Sequence, residues 1–451
     1  MRRVDSTPGN NRTGSLTARG FSTRLGRRQF VGGMAALAGS AAVGSTALAG
    51  CGMTAGGGGG GDGKQMTFLN DLALDGTPFG DAITAFEKES GIKVEIQPVP
   101  AEYDTKFRTV LASGAPPDLV KINDDYVKGI SRTGGLLDLT PFIEKDKIDV
   151  SNFSEELYNF PQQSDGKFTA WVIAHSPRLM FYNVDMFKEA GLPLPPTEWT
   201  SDGWTWDDFV EVAKKLTIPG ERFGTLIYLD TGFEQTWAVN NGEPDGIYSP
   251  DGRTFTLANP KAAEAIQWAT DLTCVHKVQP AWGDLQSDDI DLQMFAQGRL
   301  AMMYRQFSSI PYIEEAVKDI NWDVAPPPAG PAGQLTESSV VYSIPEKAKN
   351  PEAAWELLKF LTTKEGGEIL VKGKMWLPMH KDALSALSGP PENVGLFAEA
   401  VDHSTLPNQS TDTLGAREIY RPALDKVYNC EKTASEVLSS VKAQVEEIIS
   451  K

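Results

Sequence analysis

Residues 66–123 alternate strand patterns with helix patterns, and this alternation restricts the fold more than any other feature of the chain. Apolar side chains alternate with polar ones in the strand stretches and recur at helical spacing in the helix stretches. The order is strand, helix, strand, helix, strand, over residues 66–70, 79–86, 92–97, 103–111 and 118–123. A βαβαβ order predicts a parallel sheet with right-handed crossovers, and therefore an α/β fold.

Polar side chains follow these predicted strands where the strands end. In sheets of this kind ligands bind beyond the carboxyl ends of the strands. We therefore expect a ligand to meet Asn70, Asp71, Glu102, Asn123, Asp124 and Asp125. Alternatively, each of these side chains caps the helix that follows it.

The first 50 residues differ in charge from the remainder. They carry seven Arg and one Asp, a net charge of +6 within a chain whose total is −18. Arg27 and Arg28 precede an uncharged Gly/Ala-rich run that ends in Leu48-Ala49-Gly50-Cys51. Residues 1–50 are therefore interpreted as a twin-arginine lipoprotein signal, with a transmembrane anchor as the alternative. Cys51 becomes the lipidated first residue, and 51–64, which contain six consecutive glycines, form a tether to the membrane surface.

The remaining composition excludes several classes of function. The acidic body argues against nucleic acid, whose phosphates require a basic surface. Four His and three Cys are too few for a His-rich metal site or a disulfide scaffold. Cys274 and Cys430 are compatible with a disulfide or with two buried thiols. No P-loop, HExxH motif or nucleophile elbow is present, so we expect no enzyme, cofactor or metal.

Several segments, in order, resemble the extracellular solute-binding proteins of ABC transporters (family 1), and among them the sugar-binding branch with its maltose- and oligosaccharide-binding lipoproteins. The resemblance extends from about Met66 to the C-terminus. The segments that carry it are Asp118-Leu119-Val120 through Gly134–Leu139, Leu179–Gly191 with its Tyr182-Asn183 pair, Phe295–Met302, and Asn350–Leu361.

This resemblance implies a periplasmic-binding-protein-like fold: two doubly wound α/β lobes joined by a three-segment hinge, with a ligand cleft between them. The crossings are expected near 170–176, 302–305 and 341–344. The first lobe would contain 65–172 plus 305–341, and the second 175–302 plus 345–451. The implied function is an extracytoplasmic lipoprotein, a monomer, that captures a sugar by hinge closure and delivers it to ABC permease subunits served by a cytoplasmic ATPase.

A sugar site needs aromatic rings for the apolar faces of the sugar and polar side chains for its hydroxyls. Trp237, Trp282 and Trp376 stand in loop-like contexts and are the stacking candidates, with a partly buried structural ring as the alternative for each. Further candidates lie close to the implied crossings or in loops of the second lobe: Ser176, Asn241, Arg305, Ser338, Ser339 and Arg417.

Two other functions compete with sugar binding. A surface glycosidase would need two carboxylates at a separation that sequence does not give. A binding protein for a polyamine would use the acidic strand-end loops, and one for ferric ion would need clustered Tyr and His. Cleavage of a bound oligosaccharide would indicate the glycosidase. Binding that survives a chelator and is competed by oligosaccharide but not by spermidine would exclude ferric ion and a polyamine.

Overall fold

The computed structural model describes residues 64–450 except 101–102, 200–203, 229–231, 286, 288, 334 and 337. The expected signal, Cys51, nearly all of the tether, and Glu102 therefore lie outside the described residues. Within the described part the strands are β1 (Gln65–Asn70), β2 (Lys93–Pro98), β3 (Leu119–Ile122), β4 (Trp171–Ser176), β5 (Arg178–Asn183), β6 (Met302–Gln306), β7 (Trp322–Ala325), β8 (Leu335–Thr336), β9 (Ser338–Ser343), β10 (Leu377–Pro378) and β11 (Ser404–Thr405).

The helices that accompany these strands confirm the mixed α/β class. They are α1 (Pro78–Ser90), α2 (Tyr103–Ala112), α3 (Val127–Ser131), α4 (Thr140–Asp146), α5 (Glu155–Asn159), α6 (Val184–Glu189), α7 (Trp206–Leu216), α8 (Phe233–Asn240), α9 (Pro260–Cys274), α10 (Ile290–Ala296), α11 (Ile310–Ala316), α12 (Pro351–Leu361), α13 (Lys364–Lys372), α14 (Leu396–Glu399), α15 (Thr413–Tyr428) and α16 (Ala434–Ile449).

The strands form one large mixed sheet and a smaller antiparallel one. In the large sheet the order is β10-β4-β9-β3-β1-β2, with β1 parallel to both β2 and β3 as the βαβαβ pattern predicts. β9 is inserted antiparallel between β3 and β4. The smaller sheet has the order β6-β5-β7, and β8 pairs with β11 separately.

Local chemistry explains where the first helix begins and ends. The Thr77 side chain accepts a hydrogen bond from the Gly80 amide at 3.1 Å, and Pro78 occupies the first turn. Gly91 ends the helix with φ 73°, a left-handed conformation that glycine adopts at low cost. One face of α1 is buried against the large sheet, which fixes the crossover between β1 and β2.

Two separate hydrophobic cores divide the described chain. The first surrounds the large sheet and includes Phe68, Trp171, Tyr342 and Trp355; the second surrounds the small sheet and includes Trp237. The chain passes from the first core to the second between β4 and β5, returns between β7 and β9, and leaves again after β10. The two-lobed architecture is thus present.

The expected division of the chain between the lobes is wrong in two stretches. Residues 305–341 were expected in the first lobe, but β6 and β7 both pair with β5, and Ile310 and Ile313 pack in the second core. Residues 345–451 were expected in the second lobe, but α12, α13 and β10 pack on the large sheet. The cause is long-range pairing, because β9 enters the large sheet and brings the helices after it to the first core.

Cys274 and Cys430 form a disulfide, with their Cα atoms 5.7 Å apart. The bond joins the end of α9 to the residues that follow α15. The two alternatives that the sequence leaves open are thereby reduced to one. Among the residues that the structure describes, no helix has the length and apolarity that a membrane span requires.

Candidate ligand-binding cavity

A cavity of about 360 Å³ lies between the edge of the large sheet and elements of the second core. The ends of β1, β3 and β4 and the beginning of β9 line one side. The opposite side is formed by Gln306, Ser308, Tyr312 and Arg417. Its position corresponds to the cleft between the two lobes.

Strand direction explains why so many polar groups meet here. β1 and β3 run parallel, and β4 and β9 are antiparallel with Ser176 opposite Ser338. The ends of β3 and β4 and the start of β9 therefore share one edge of the sheet. The Ser339 amide donates to Asp124 Oδ2 at 3.0 Å, so the loop after β3 is fixed to the start of β9.

The charged groups of this region are arranged in pairs. Lys121 pairs with Asp71, and the Arg417 guanidinium pairs with Asp125. Arg417 also donates to the Tyr126 hydroxyl at 3.1 Å, and its guanidinium lies 5.6 Å from the centroid of that ring. Cation and carboxylate side chains thus neutralise one another along the wall.

A smaller chamber of about 80 Å³ adjoins the main cavity. The two spaces share Asp124, Asp125, Ser338 and Arg417 as lining residues. The chamber is otherwise lined by Arg178, Gly232, Gln235, Ile247, Tyr248, Pro407, Asn408 and Tyr420. Arg178 Nη2 donates to Ser338 Oγ at 2.8 Å and so joins the start of β5 to the start of β9.

Burial changes the acidity of the two adjacent carboxyl groups. Loss of hydration raises the pKa of Asp124. The hydrogen bond from the Ser339 amide and the charges of Arg178 and Arg417 lower the pKa and partly offset this effect. Burial raises the pKa of Asp125 to about 6; Arg417 lowers it and the neighbouring Asp124 raises it further.

The structure brings most of the predicted site residues together. Nine of the residues expected from sequence line the main cavity: Asp71, Asn123, Asp124, Asp125, Ser176, Ser338, Ser339, Trp376 and Arg417. Trp376 is 8% exposed and packs edge-to-face on Phe79, so only one edge of its ring is available.

Five other predicted residues are held elsewhere. Asn70 is 1% exposed and donates to the Leu72 carbonyl at 3.0 Å, so it stabilises the loop after β1. Trp237 is fully buried in the second core, and its assignment as a stacking ring is wrong. Asn241 Nδ2 donates to the Lys261 carbonyl at 2.7 Å beyond the end of α8.

Trp282 and Arg305 lie away from both spaces as well. The Trp282 indole nitrogen donates to Asp425 Oδ1 at 3.1 Å, and the ring packs 4.7 Å from that of Tyr428. Arg305 pairs with Asp289 at 2.8 Å and with Asp291 at 3.0 Å. Trp282 is used for packing, and Arg305 for ion pairing outside the two spaces.

Sequence reasoning missed several residues that line the two spaces. They are Lys121, Arg178, Gln235, Tyr248, Gln306, Ser308, Tyr312, Asn408 and Tyr420. Lys121 had a signal, because it interrupts the apolar run of β3. The residues of the second core had none, since their place depends on how the small sheet docks against the large one.

The sequence profile of bacterial extracellular solute-binding proteins matches residues 70–368, more than half of the chain. The chain belongs to this family. In this solute-binding protein the cavity lies where the two α/β lobes meet. Within the described residues, no three His, Cys, Asp or Glu side chains cluster as metal ligands do.

Curated relatives of the solute-binding protein share about a quarter of its residues. A binding protein of Brucella abortus is 27% identical over 329 residues, covering 70% of this chain and 76% of the relative. The arabinooligosaccharide-binding protein of Bacillus subtilis is 23% identical over 309 residues, covering 66% and 67%.

Solved structures share its fold. An ABC substrate-binding protein of Listeria monocytogenes in complex with cycloalternan has a TM-score of 0.78 and 25% identity, covering 86% of this chain and 99% of that one. Maltose-bound MalE3 of T. maritima has a TM-score of 0.71 and 19% identity, covering 85% and 99%. UgpB of Mycobacterium tuberculosis in complex with glycerophosphocholine has a TM-score of 0.73 and 18% identity, covering 86% and 98%. The periplasmic-binding-protein-like fold implied by the sequence is confirmed.

Proposed function

We propose that this protein is the substrate-binding component of an ABC importer and that it captures a neutral oligosaccharide in the cavity between its lobes. The observation that carries the proposal is the cavity itself: a space of about 360 Å³ at the family's interlobe position, lined by hydroxyl, amide and charged groups. Relatives whose names or titles specify cycloalternan, maltose or arabinooligosaccharide support a carbohydrate as the ligand class.

The charge of the lining supports a neutral ligand. Asp71, Asp124 and Asp125 are matched in number by Lys121, Arg178 and Arg417. A polyamine would require carboxylates in excess, and a strongly anionic ligand would require cations in excess. Balanced pairs of charged groups can instead donate to and accept from sugar hydroxyls, which carry no charge.

One aromatic residue is suited to the apolar face of a sugar. Tyr312 on α11 lies on the second-lobe side of the cavity with 56% of its surface exposed, whereas Trp376 on the first-lobe side is 8% exposed. An exposed tyrosine offers an apolar ring with a polar end, a combination enriched at binding surfaces. Tyr312 takes the role that the sequence analysis gave to Trp237.

The same proposal includes the location and partners of the protein. Arg27, Arg28 and the segment ending at Cys51 support export followed by lipidation, and the glycine run supports a tether between the anchor and the lobes. Such a monomer would present its liganded form to the permease subunits of the importer. Metabolic labelling with a fatty acid, compared between the wild type and Cys51→Ser, tests the anchor.

Ligand binding is tested by a thermal-shift screen of the purified protein against mono- and oligosaccharides, with spermidine as the competing class. A ligand at 100 times its Kd adds about 2.7 kcal/mol to stability. Tyr312→Ala should weaken binding of the sugar found by the screen and leave the melting temperature nearly unchanged. Trp237→Ala is the matched control: it should lower the melting temperature while affecting the Kd much less. Stabilisation by spermidine and by no saccharide would reject the proposal.

A further inference from the structure

Residues 406–413 form a segment that lies between the two lobes and makes hydrogen bonds to both of them. The elements on either side of it belong to the second core, through Phe397 of α14 before it and Ala416 of α15 after it. Leu406 at its start and Leu414 just beyond its end pack instead against the first core. The second lobe thus extends this segment, which we call the strap, onto the surface of the first lobe.

The strap contacts the first lobe at both ends and near its middle. The bonds run from the Leu406 amide to Glu156 Oε1 at 2.9 Å, from the Lys128 amide to Gln409 Oε1 at 2.7 Å, and from the Thr413 hydroxyl to the Asp125 carbonyl at 2.8 Å. Tyr126, Val127 and Leu157, next to these partners in the chain, are buried in the first core. These partners therefore belong to the first lobe.

Between those positions the strap bonds to the second lobe. Asn408 Nδ2 donates to the Tyr248 carbonyl at 2.9 Å, and the Thr411 hydroxyl donates to the Ile449 carbonyl at 2.7 Å. Tyr248 and Ile449 are both buried in the second core. Bonds to the first and to the second lobe therefore alternate along the strap.

A glycine from each lobe lets the strap pass this close. A Cβ on Gly129 of α3 would lie 2.6 Å from the Thr411 carbonyl oxygen, and a Cβ on Gly252 would lie 2.3 Å from the Gln409 carbonyl oxygen. Both distances are well below the roughly 3.5 Å at which non-bonded atoms normally make contact. A larger residue at either position would displace the strap.

Separation of the lobes must break the bonds on one side of the strap. The chain before and after the strap is packed in the second core, so the strap stays with the second lobe when the lobes move apart. The bonds that break are then those to Glu156, Lys128 and Asp125. The bonds to Tyr248 and Ile449 remain.

We propose that the strap is a latch for the closed form: its bonds to the first lobe form when the lobes close and break when they open. This inference rests on the part of the proposed function in which the lobes open and close around a solute, and it adds the segment that holds them shut. Because Thr413 bonds to the main chain of Asp125, which lines the cavity, engagement of the latch is coupled to the ligand site.

Two matched valine variants of the full-length protein test the latch without ligand. Thr413→Val and Thr411→Val each remove one hydroxyl that donates to a backbone carbonyl, the first in the first lobe and the second in the second lobe. The measurement is the hydrogen-exchange rate of the Lys128 and Leu406 amides, which take part in the other bonds between the strap and the first lobe.

Thr413→Val should speed exchange of both amides by about fivefold, equivalent to about 1 kcal/mol, which is typical of one lost hydrogen bond. Thr411→Val should leave both rates unchanged, because its bond is not one that opening breaks. Thr413→Ser retains the hydroxyl and should restore the rates of the wild type.

Gly129→Ala tests the latch from the side of the first lobe. Its methyl group would collide with the Thr411 carbonyl and displace the strap, so the Leu406 amide, which belongs to a distant part of the chain, should exchange at least about fivefold faster. Gly114→Ala is the control, since a Cβ there would meet no atom of the described residues within 4 Å.

Unchanged exchange in Thr413→Val, or equal acceleration in both valine variants, would overturn the latch. The saccharide found by the screen should raise the melting temperature of the wild type and slow exchange of the Lys128 and Leu406 amides. A raised melting temperature without slower exchange would overturn the latch and leave the proposed function standing. If no saccharide has either effect while the valine variants differ as expected, the latch stands and the proposed carbohydrate function is overturned.

Discussion

At the scale of single residues, Arg417 is held by several contacts at the site. It pairs with Asp125, donates to the Tyr126 hydroxyl, and lines both the main cavity and the chamber. Arg417→Met leaves the carboxylate of Asp125, only 7% exposed as a residue, without its cation. Because removing one partner of a buried pair leaves an uncompensated charge, we expect a loss of about 3–5 kcal/mol at pH 7.5, measured by urea denaturation.

Arg305→Met is the control for the effect of Arg417→Met on binding. Arg305 is similarly inaccessible, with 13% of its side chain exposed, and it pairs with two aspartates outside both spaces. It should cost stability without changing the Kd for the saccharide identified in the screen. Full affinity in Arg417→Met would mean that Arg417 supports only the fold.

Asp125 should give folding stability a dependence on pH. Its pKa is about 6 in the folded protein, mainly through burial, against an ordinary value near 4. The folded state therefore holds a proton between about pH 4 and 6 that the unfolded chain releases. The contribution of this group is complete below about pH 4 and is lost as pH rises through 6, by up to about 3 kcal/mol.

Asp125→Asn should flatten that dependence, because asparagine does not titrate; the substitution also removes the anion that pairs with Arg417. Urea denaturation at pH 4.5, 6 and 7.5 measures the slope, with Asp289→Asn, whose carboxylate is 64% exposed, as the control that keeps it. At pH 5 the Asp125 carboxyl is mostly protonated and needs no cation, so the stability loss of Arg417→Met should be smaller than at pH 7.5. An unchanged slope in Asp125→Asn would assign the dependence to other groups.

The sequence pattern was sufficient to predict the residues that line the large-sheet side of the cavity. Asp71 and Asn123–Asp125 were identified because strand ends in a wound sheet converge, a rule that requires only local pattern. Trp237 and Trp282 have the same local signals as a stacking ring. What prevents them from stacking on a ligand is the neighbours that cover them: Tyr304 packs on Trp237 and Tyr428 packs on Trp282. Those neighbours come from distant parts of the chain.

At the scale of elements, helix starts could be predicted but not every cap. Thr205 and Asp208, three residues apart in the sequence, form a capping box at the start of α7. Asn259 and Asn350 precede prolines at the starts of α9 and α12, yet neither side chain makes a capping hydrogen bond. Proline at the first turn is sufficient to mark the start, because its fixed φ already suits the helix.

The disulfide is the element-scale link with the clearest test. It closes a segment of 156 residues between α9 and the end of α15. Restricting so long a loop in the unfolded chain typically contributes about 2–4 kcal/mol. The double variant Cys274→Ala, Cys430→Ala should lose this amount in urea denaturation and keep its affinity for saccharide.

Reduced wild-type protein provides the comparison for that variant. Under a reductant the wild type should approach the midpoint of the double variant, and the double variant should not respond to the reductant. A double variant as stable as the oxidised wild type would show that the two cysteines add nothing to stability. A large loss of affinity with unchanged stability would instead connect the link to the cavity.

At the scale of the whole molecule, the sequence predicted two lobes and three crossings but placed two of the crossings in the wrong segments. The first crossing is adjacent to the expected one because β4 and β5 are consecutive. The other two depend on β9, whose apolar sequence fits either sheet and whose partners, β3 and β4, lie more than 150 residues earlier. Pairing over such a separation leaves no local pattern in either strand.

A second ion pair, in addition to Arg417–Asp125, joins the two cores near the cavity. Lys374 follows α13 of the first core, and its ammonium donates to Glu314 Oε1 on α11 of the second at 2.6 Å and to the Pro390 carbonyl at 2.6 Å. The Lys374 side chain is 9% exposed. Tyr312 and Trp376, each two residues from a member of this pair, line the cavity on opposite sides. The pair therefore holds together the two walls that a hinge motion would separate.

Glu314→Gln should weaken this link. The Lys374 ammonium then donates to a neutral amide oxygen and loses its ion pair, so the unliganded protein should shift toward more open forms. Small-angle scattering should then give a larger radius of gyration than for the wild type. Glu189→Gln is the matched control, because Arg222, its partner, is also 9% exposed but the pair lies within the second core. Equal radii in all three proteins would mean that the lobes are held together by other contacts, and that Lys374 and Glu314 only stabilise the segments around them.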